Sequence, residues 1–320
     1  LDTLRAGLDL GNAMLPRPLH PAAGAPYLAA FQDLGRLLAI EGMAYAQAGV
    51  VGAAFQDLAG VFEFAGAFPR GGLIAHARAG HDLADTAAPK LRDVLDRPSA
   101  DPQAYRALIT HLYGIEANLC ATWETAETEV DTYHAWIEER FPTGADLQQG
   151  LMAATPDKTT QAALEARDGE ELLNLCFDSL DSGQALIDFL ALPYYEGESL
   201  VVEEEVGDSP VTRILLDDLT ALRRLEARHR AHLSGLVLVT ALAWYHAEQG
   251  FFPGGLAELS PHYLAALPED PFSGAGFLYS PTENGYLLYA TGVDMEDGGG
   301  QRNAWSLNGG DMLIHRARII

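Results

Sequence analysis

Apolar residues recur at three- and four-residue intervals from Tyr27 to about Leu192, as in Leu28, Phe31, Leu34, Leu37 and Leu38. That spacing puts them on one face of an α-helix and predicts a succession of amphipathic helices. Breaks fall at Gly49, at Phe68-Pro69-Arg70-Gly71-Gly72, at Arg97-Pro98 and at Pro142-Thr143-Gly144, where proline and glycine interrupt the hydrogen-bonded ladder. Residues 1–26 are rich in proline, glycine and alanine and read as an irregular arm. A second helical pattern covers residues 211–249, through Leu215, Leu219, Leu222, Leu225, His229, His232, Leu236, Val239 and Leu242. Unbroken, it measures about 58 Å at 1.5 Å per residue, and Ser234-Gly235 is the place to expect a bend. Residues 193–210 separate the two patterns and hold Glu203-Glu204-Glu205, read as a solvated acidic loop.

After Gly250 the period changes. Proline and glycine punctuate short runs, and two aromatic segments, Phe277 to Ser280 and Tyr286 to Tyr289, flank Pro281-Thr282-Glu283-Asn284-Gly285. Asn-Gly supplies the positive φ angles of a tight turn, so a β-hairpin is predicted, with Met312-Leu313-Ile314 as a third strand. The expected fold is mainly α: a large helical-bundle domain at 1–210, then a small α+β domain at 211–320 in which the long helix lies on a short antiparallel sheet.

The chain is 48% hydrophobic and carries 45 acidic against 20 basic residues, a net charge of −25. A surface of that sign repels phosphate backbones and anionic lipid, so nucleic acid is excluded as an expected partner. Residues 236–320 hold nine acids and three bases, so the acidity is spread through the chain and forms no detachable tail. No run reaches the roughly 18 apolar residues needed to span a bilayer. The chain opens on Leu1 rather than Met, from which the loss of a leader or anchor is expected. Cys120 and Cys176 are the only cysteines, and their spacing excludes a structural zinc site. Two buried free thiols are expected, or a disulfide outside the cytoplasm, with neither thiol reactive.

Two resemblances add to this reading. The helix pair around Gly42-x-x-Tyr45-x-x-x-Gly49, with Ala54 and Leu58, resembles a single tetratricopeptide-type unit. Further on, Ala243 to Pro253, Leu256 to Leu259, Tyr263-Leu264, Leu267-Pro268-Glu269-Asp270-Pro271-Phe272, Gly285 to Asp294 and Glu296 to Gly300 stand in order. Over about residues 236–315 that series resembles the globular end of the major pseudopilins of type II secretion, and pilin-like C-terminal domains of longer bacterial proteins. The resemblance implies a helix laid on a small sheet, followed by a calcium-binding loop. The residues make a case of their own: Asp294 and Asp297 lie in a glycine-rich turn after a strand, and Asp311 returns to the sheet 14 residues later. Calcium takes six to eight hard oxygens held by flexible backbone. Asp294, Asp297 and Asp311 are therefore the candidate ligands of a structural Ca²⁺. The chain departs from the pseudopilin pattern in placing a long helical domain, rather than an N-terminal hydrophobic anchor, ahead of the matching order. The domain shape and the metal loop therefore carry over but the secretion role does not, and filament assembly by the usual N-terminal packing is not expected.

No nucleophile elbow, phosphate loop, His-Glu-x-x-His or Gly-x-Gly-x-x-Gly is present. Glu226-x-x-His229 has di-iron spacing but no second copy, and His229 and His232 read as one edge of an amphipathic stripe. The expected function is that of a non-enzymatic, extracytoplasmic bacterial structural or interaction protein with an unidentified protein partner. The alternative is a hydrolase with its site in the helical domain, which a pocket joining two of His76, His81, His111 and His134 would favour.

Overall fold

In a computed structural model of the protein, the structure describes residues 1, 3–5, 25–97, 101–141, 143–154, 158–181, 183–196, 210–283, 285–300 and 310–318. The predicted arm is therefore described only in part, and Glu203-Glu204-Glu205 lies outside the described residues.

The helices are α1 (Tyr27–Gln47), α2 (Val51–Ala67), α3 (Ile74–Leu95), α4 (Pro102–Ala117), α5 (Thr122–Arg140), α6 (Gly144–Ala154), α7 (Lys158–Glu165), α8 (Gly169–Asp181), α9 (Gly183–Leu190) and α10 (Pro210–Gln249). The strands β1 (Leu278–Thr282), β2 (Gly285–Ala290) and β3 (Met312–Arg318) form one antiparallel sheet in sequence order. The chain is thus mainly α, with a small α+β region at its end. Among the described residues every strand lies after Gly250, where the hydrophobic period changes.

Local sequence explains the ends and faces. Asp101 caps α4 by accepting from Gln103 N at 2.9 Å, with Pro102 in the first turn, where its missing N–H costs nothing. Central α2 buries Phe55, Leu58, Val61, Phe62 and Phe64 around much of its circumference and packs on α1, α3 and α4. Close contact of α1 with α2 passes through Gly42, where an added Cβ would stand 3.0 Å from Leu58 Cγ and 3.1 Å from Asp57 Cβ. Carboxylates from distant helices also cap helix starts: Glu129 of α5 accepts from Ile74 N of α3 at 2.9 Å, and Glu226 of α10 accepts from Thr122 N of α5 at 2.6 Å. Part of the chain's acidity is therefore structural, placed where helix N-termini favour negative charge.

At 40 residues α10 is about 60 Å long and continues unbroken through Ser234-Gly235. Gly235 serves packing instead of a bend: an added Cβ would lie 2.5 Å from Ile314 Cγ2 of β3. The hairpin turn is tighter than the sequence suggests. Pro281 and Thr282 belong to β1, paired with Tyr286 and Gly285, because an edge strand leaves proline's missing donor unneeded. Asn284 lies outside the described residues. The pairing of β2 with β3 shifts register between Leu288 and Tyr289, a bulge that re-aims the strand.

Two cores result. One runs from α1–α4 through the second half of α10 into the sheet, joining Phe62, Leu91 and Leu112 to Leu238, Phe272, Tyr286 and Ile314. The other gathers the start of α3, helices α5–α9 and Leu222 of α10.

Candidate functional site

The loop after β2 begins at a buried carboxylate. Asp270 accepts from Phe272 N at 2.9 Å, Ser273 Oγ at 3.0 Å, Thr291 N at 3.0 Å and Thr291 Oγ1 at 2.9 Å. These bonds fix the point where the chain leaves the sheet. Sequence reasoning assigned Asp270 no role of its own; an Asp-Pro turn that must face a strand end was the signal available.

The structure brings the three predicted ligands into one loop. Asp294 accepts from Glu296 N at 3.3 Å and, across the loop, from Gly310 N at 2.5 Å. Asp297 accepts from Gly299 N and from the Tyr289 hydroxyl, both at 2.9 Å. Burial, reinforced by Asp297, pushes the Tyr289 phenol up to about 12, so it stays a donor. Asp311, buried, accepts from Gly298 N at 3.0 Å and Gly300 N at 2.6 Å. A Cβ at position 298 would come within 2.8 Å of Asp311 Oδ2, so any other residue there would displace that carboxylate. Gly292 and Gly310 touch, closing the loop at its neck. The donor set is hard oxygen on glycine-rich backbone, which suits calcium. Each carboxylate is nevertheless engaged by N–H or O–H donors, and among the described residues no three acidic, imidazole or thiol groups converge as a metal cluster. Residues 301–309 lie outside the described part.

Beside this loop is a cavity of about 400 Å³ between α3, α10 and β3. Its lining includes Arg92, Arg228, His232, Asp311, His315 and Arg316, and most of these groups bond within the protein. Arg228 pairs with Asp85, Arg92 donates to the Ile314 carbonyl, and His315 Nε2 lies 2.7 Å from Asp96 Oδ1. Such pairings bind the helical layer to the sheet.

The four histidines weighed for catalysis have separate surroundings, and none of them lines this cavity. His76 Nδ1 accepts from Leu73 N at 3.1 Å, which leaves Nε2 as donor to the Tyr27 hydroxyl at 2.9 Å. His111 meets Glu63 at 3.0 Å, His134 packs on Phe177, and His81 faces His229. His229 and His232, read as one edge of an amphipathic stripe, are both buried. Glu226 bonds Thr122 and Arg230, a structural position. Both thiols are free. Cys176 is buried and its pKa is pushed up to about 12. Cys120 corrects the expectation of burial on a helix: it lies half-buried in the link between α4 and α5. Burial first, and Glu124 second, push it up to about 11.

No helix among the described residues is long and apolar enough to cross a membrane. Comparison of the chain with family models, with curated proteins and with solved structures finds no match.

Proposed function

We propose that the protein is a non-enzymatic bacterial structural or interaction protein acting outside the cytoplasm, whose last third is a pseudopilin-like unit stabilised by Ca²⁺ at the loop of Asp294, Asp297 and Asp311. One observation carries this reading: the three carboxylates, 17 positions apart at their extremes, fold onto one glycine-rich loop and tie its two ends together. Carboxylates sharing one loop on a chain of net charge −25 repel one another, and ordering a glycine-rich backbone costs more entropy than any other. Calcium offsets both costs, drawing on the oxygen lone pairs the N–H donors leave and on backbone carbonyls of the loop. Calcium is abundant outside the cytoplasm, and that is the support for the location. The packed helices α1–α9 supply the surface for a protein partner, and the domains proceed from 1–210 to 211–320.

The test is thermal melting of the full chain in chelator and in millimolar calcium. At a hundredfold excess over Kd an ion that binds only the folded state contributes about 2.7 kcal/mol, a rise of roughly 4 °C for a chain of this size. Asp294→Ala with Asp297→Ala removes the response. Identical melting in chelator and in calcium, with no bound ion in a metal assay, rejects the calcium loop.

A further inference from the structure

Away from the loop, α3 and α10 press three histidines together. His229 is buried; its ring meets Phe62 of α2 edge-on at 6.2 Å and His81 of α3 at 5.2 Å. The contact with His81 is Nδ1 to Nδ1 at 3.3 Å, and His229 Nε2 is buried with no hydrogen-bond partner. One turn further along α10, the buried His232 places Nε2 3.4 Å from Asp85 Oδ1. His81 is half-buried, the most accessible of the three.

That geometry fixes a proton count. An Nδ1-to-Nδ1 bond needs one protonated nitrogen and one bare one, which two neutral rings supply. With His229 as the donor, its buried Nε2 is a bare lone pair. One extra proton must then sit on that Nε2 without an acceptor, and two extra set N–H against N–H. Glu226 favours added charge on His81, but burial and the nearby arginines oppose it across the layer. Arg228 and Arg230 flank the layer on α10, Arg92 of α3 faces His232, and α2 offers only the Phe62 ring. Facing acids have other partners: Glu226 bonds Arg230 and Thr122, Asp85 pairs with Arg228, and Asp82 acts on Arg228. Glu116 of α4 takes the hydroxyl of Ser234.

We propose that this histidine layer is an acid-release latch: neutral, it seals α10 onto α3, and its protonation in mild acid loosens that seam. Burial above all holds His81 down to about 4, and His229 and His232 well below the ordinary histidine range. Histidines lowered in the folded state take up protons on unfolding, so stability starts to fall as pH drops through the unfolded value and is fully lost only below the folded one. For His81, between 6.5 unfolded and about 4 folded, the unfolding constant at pH 5 gains a factor of roughly 30.

The experiment is urea unfolding of the full chain at pH 7.5 and pH 5.0, for wild type, His229→Gln and His81→Gln. Glutamine keeps a neutral polar group at each site and takes no proton. We expect each variant to lose a factor of about 10 to 30 from the acid-induced rise in the unfolding constant. Hydrogen exchange is expected to show protection of residues 222–242 falling at least about tenfold more than that of β2 and β3. An acid response unchanged in both variants overturns the proposal, as does a loss of protection spread evenly along the chain. His81→Gln, at the half-buried position, carries the test if His229→Gln does not fold.

Discussion

The two halves of α10 are buried by opposite means. From Leu236 to Leu242 every residue is buried, and all but Thr240 are apolar. From Leu222 to Ser234 the same helix buries Arg223, His229, His232 and Ser234, with Glu226, Arg228 and Arg230 half-buried among them. Nothing in the backbone distinguishes these halves. What differs is the kind of neighbour each side chain requires. An apolar side chain gains from any surface that excludes water, whereas each buried polar group needs a partner of matching chemistry and direction. Residues 236–242, the upper segment, are held almost wholly by area; in 222–234, the lower one, named pairs act beside the buried Leu222, Ala227, Ala231 and Leu233.

The largest expected effect lies in the upper half. Leu238 is fully buried in the core that joins α3 and α4 to the sheet. Leu238→Ala removes about three methylene equivalents and leaves a cavity that rigid neighbours on several sides cannot close, a cost of about 3 to 4 kcal/mol. Urea denaturation measures it directly, and the fall should involve the helical layer and the sheet in one transition. Two separate transitions would show that the shared core does not couple them.

Arg223 sharpens the comparison from the other side. Its guanidinium donates to the carbonyls of Leu192, Pro193 and Tyr194, at 3.2, 2.6 and 3.3 Å, and lies 4.3 Å from the Phe189 ring centre. All three carbonyls gather around one nitrogen, Nη2, while the guanidinium plane lies over the aromatic ring, a stacking that a compact ammonium does not reproduce. Arg223→Met keeps the apolar stem and removes the donors, with an expected cost of about 1.5 to 3 kcal/mol. The damage should be local: limited proteolysis should open the segment at 189–196 while the sheet stays protected. Arg223→Lys should recover less than half of the loss. Full recovery by lysine would mean that charge and a single donor nitrogen, rather than the plane stacked on Phe189, hold the segment.

The same contrast explains what the sequence disclosed. A run such as Leu236-Val237-Leu238-Val239 can be read without knowing its neighbours, and so could the helical succession, the hairpin and the third strand. The carboxylates of the loop were legible too, because glycines and acids sit close together in the chain between Asp294 and Asp311. What the sequence hid was pairing over long separations. Arg228 with Asp85, His229 with His81, His315 with Asp96 and Glu226 with Thr122 each join residues more than 100 positions apart. Local periodicity has no access to such pairs, so His229 and His232 read as the edge of a stripe and Glu226 as a stray motif. The helical period also carries past Pro89, and α3 runs through it, because packing on both sides outweighs one lost helical hydrogen bond.

The smallest effect is expected at the one polar residue of the segment 236–242. Thr240 is fully buried, and its hydroxyl donates at 2.7 Å to the carbonyl of Leu236 one turn back. In a continuous helix that carbonyl also receives the backbone N–H of residue 240. Replacing the hydroxyl with a methyl in Thr240→Val therefore orphans no acceptor, and valine keeps the branching and nearly the volume of threonine. The lost hydrogen bond is worth about 1 kcal/mol, and burying the new methyl returns about 0.8 kcal/mol. The expected change is within about 0.5 kcal/mol of zero, read as an unshifted urea midpoint. A loss above about 1.5 kcal/mol would mean that the Thr240 hydroxyl supports more than its own helix turn. The upper half would then depend on a polar pairing as the lower half does, and the division drawn along α10 would fail there.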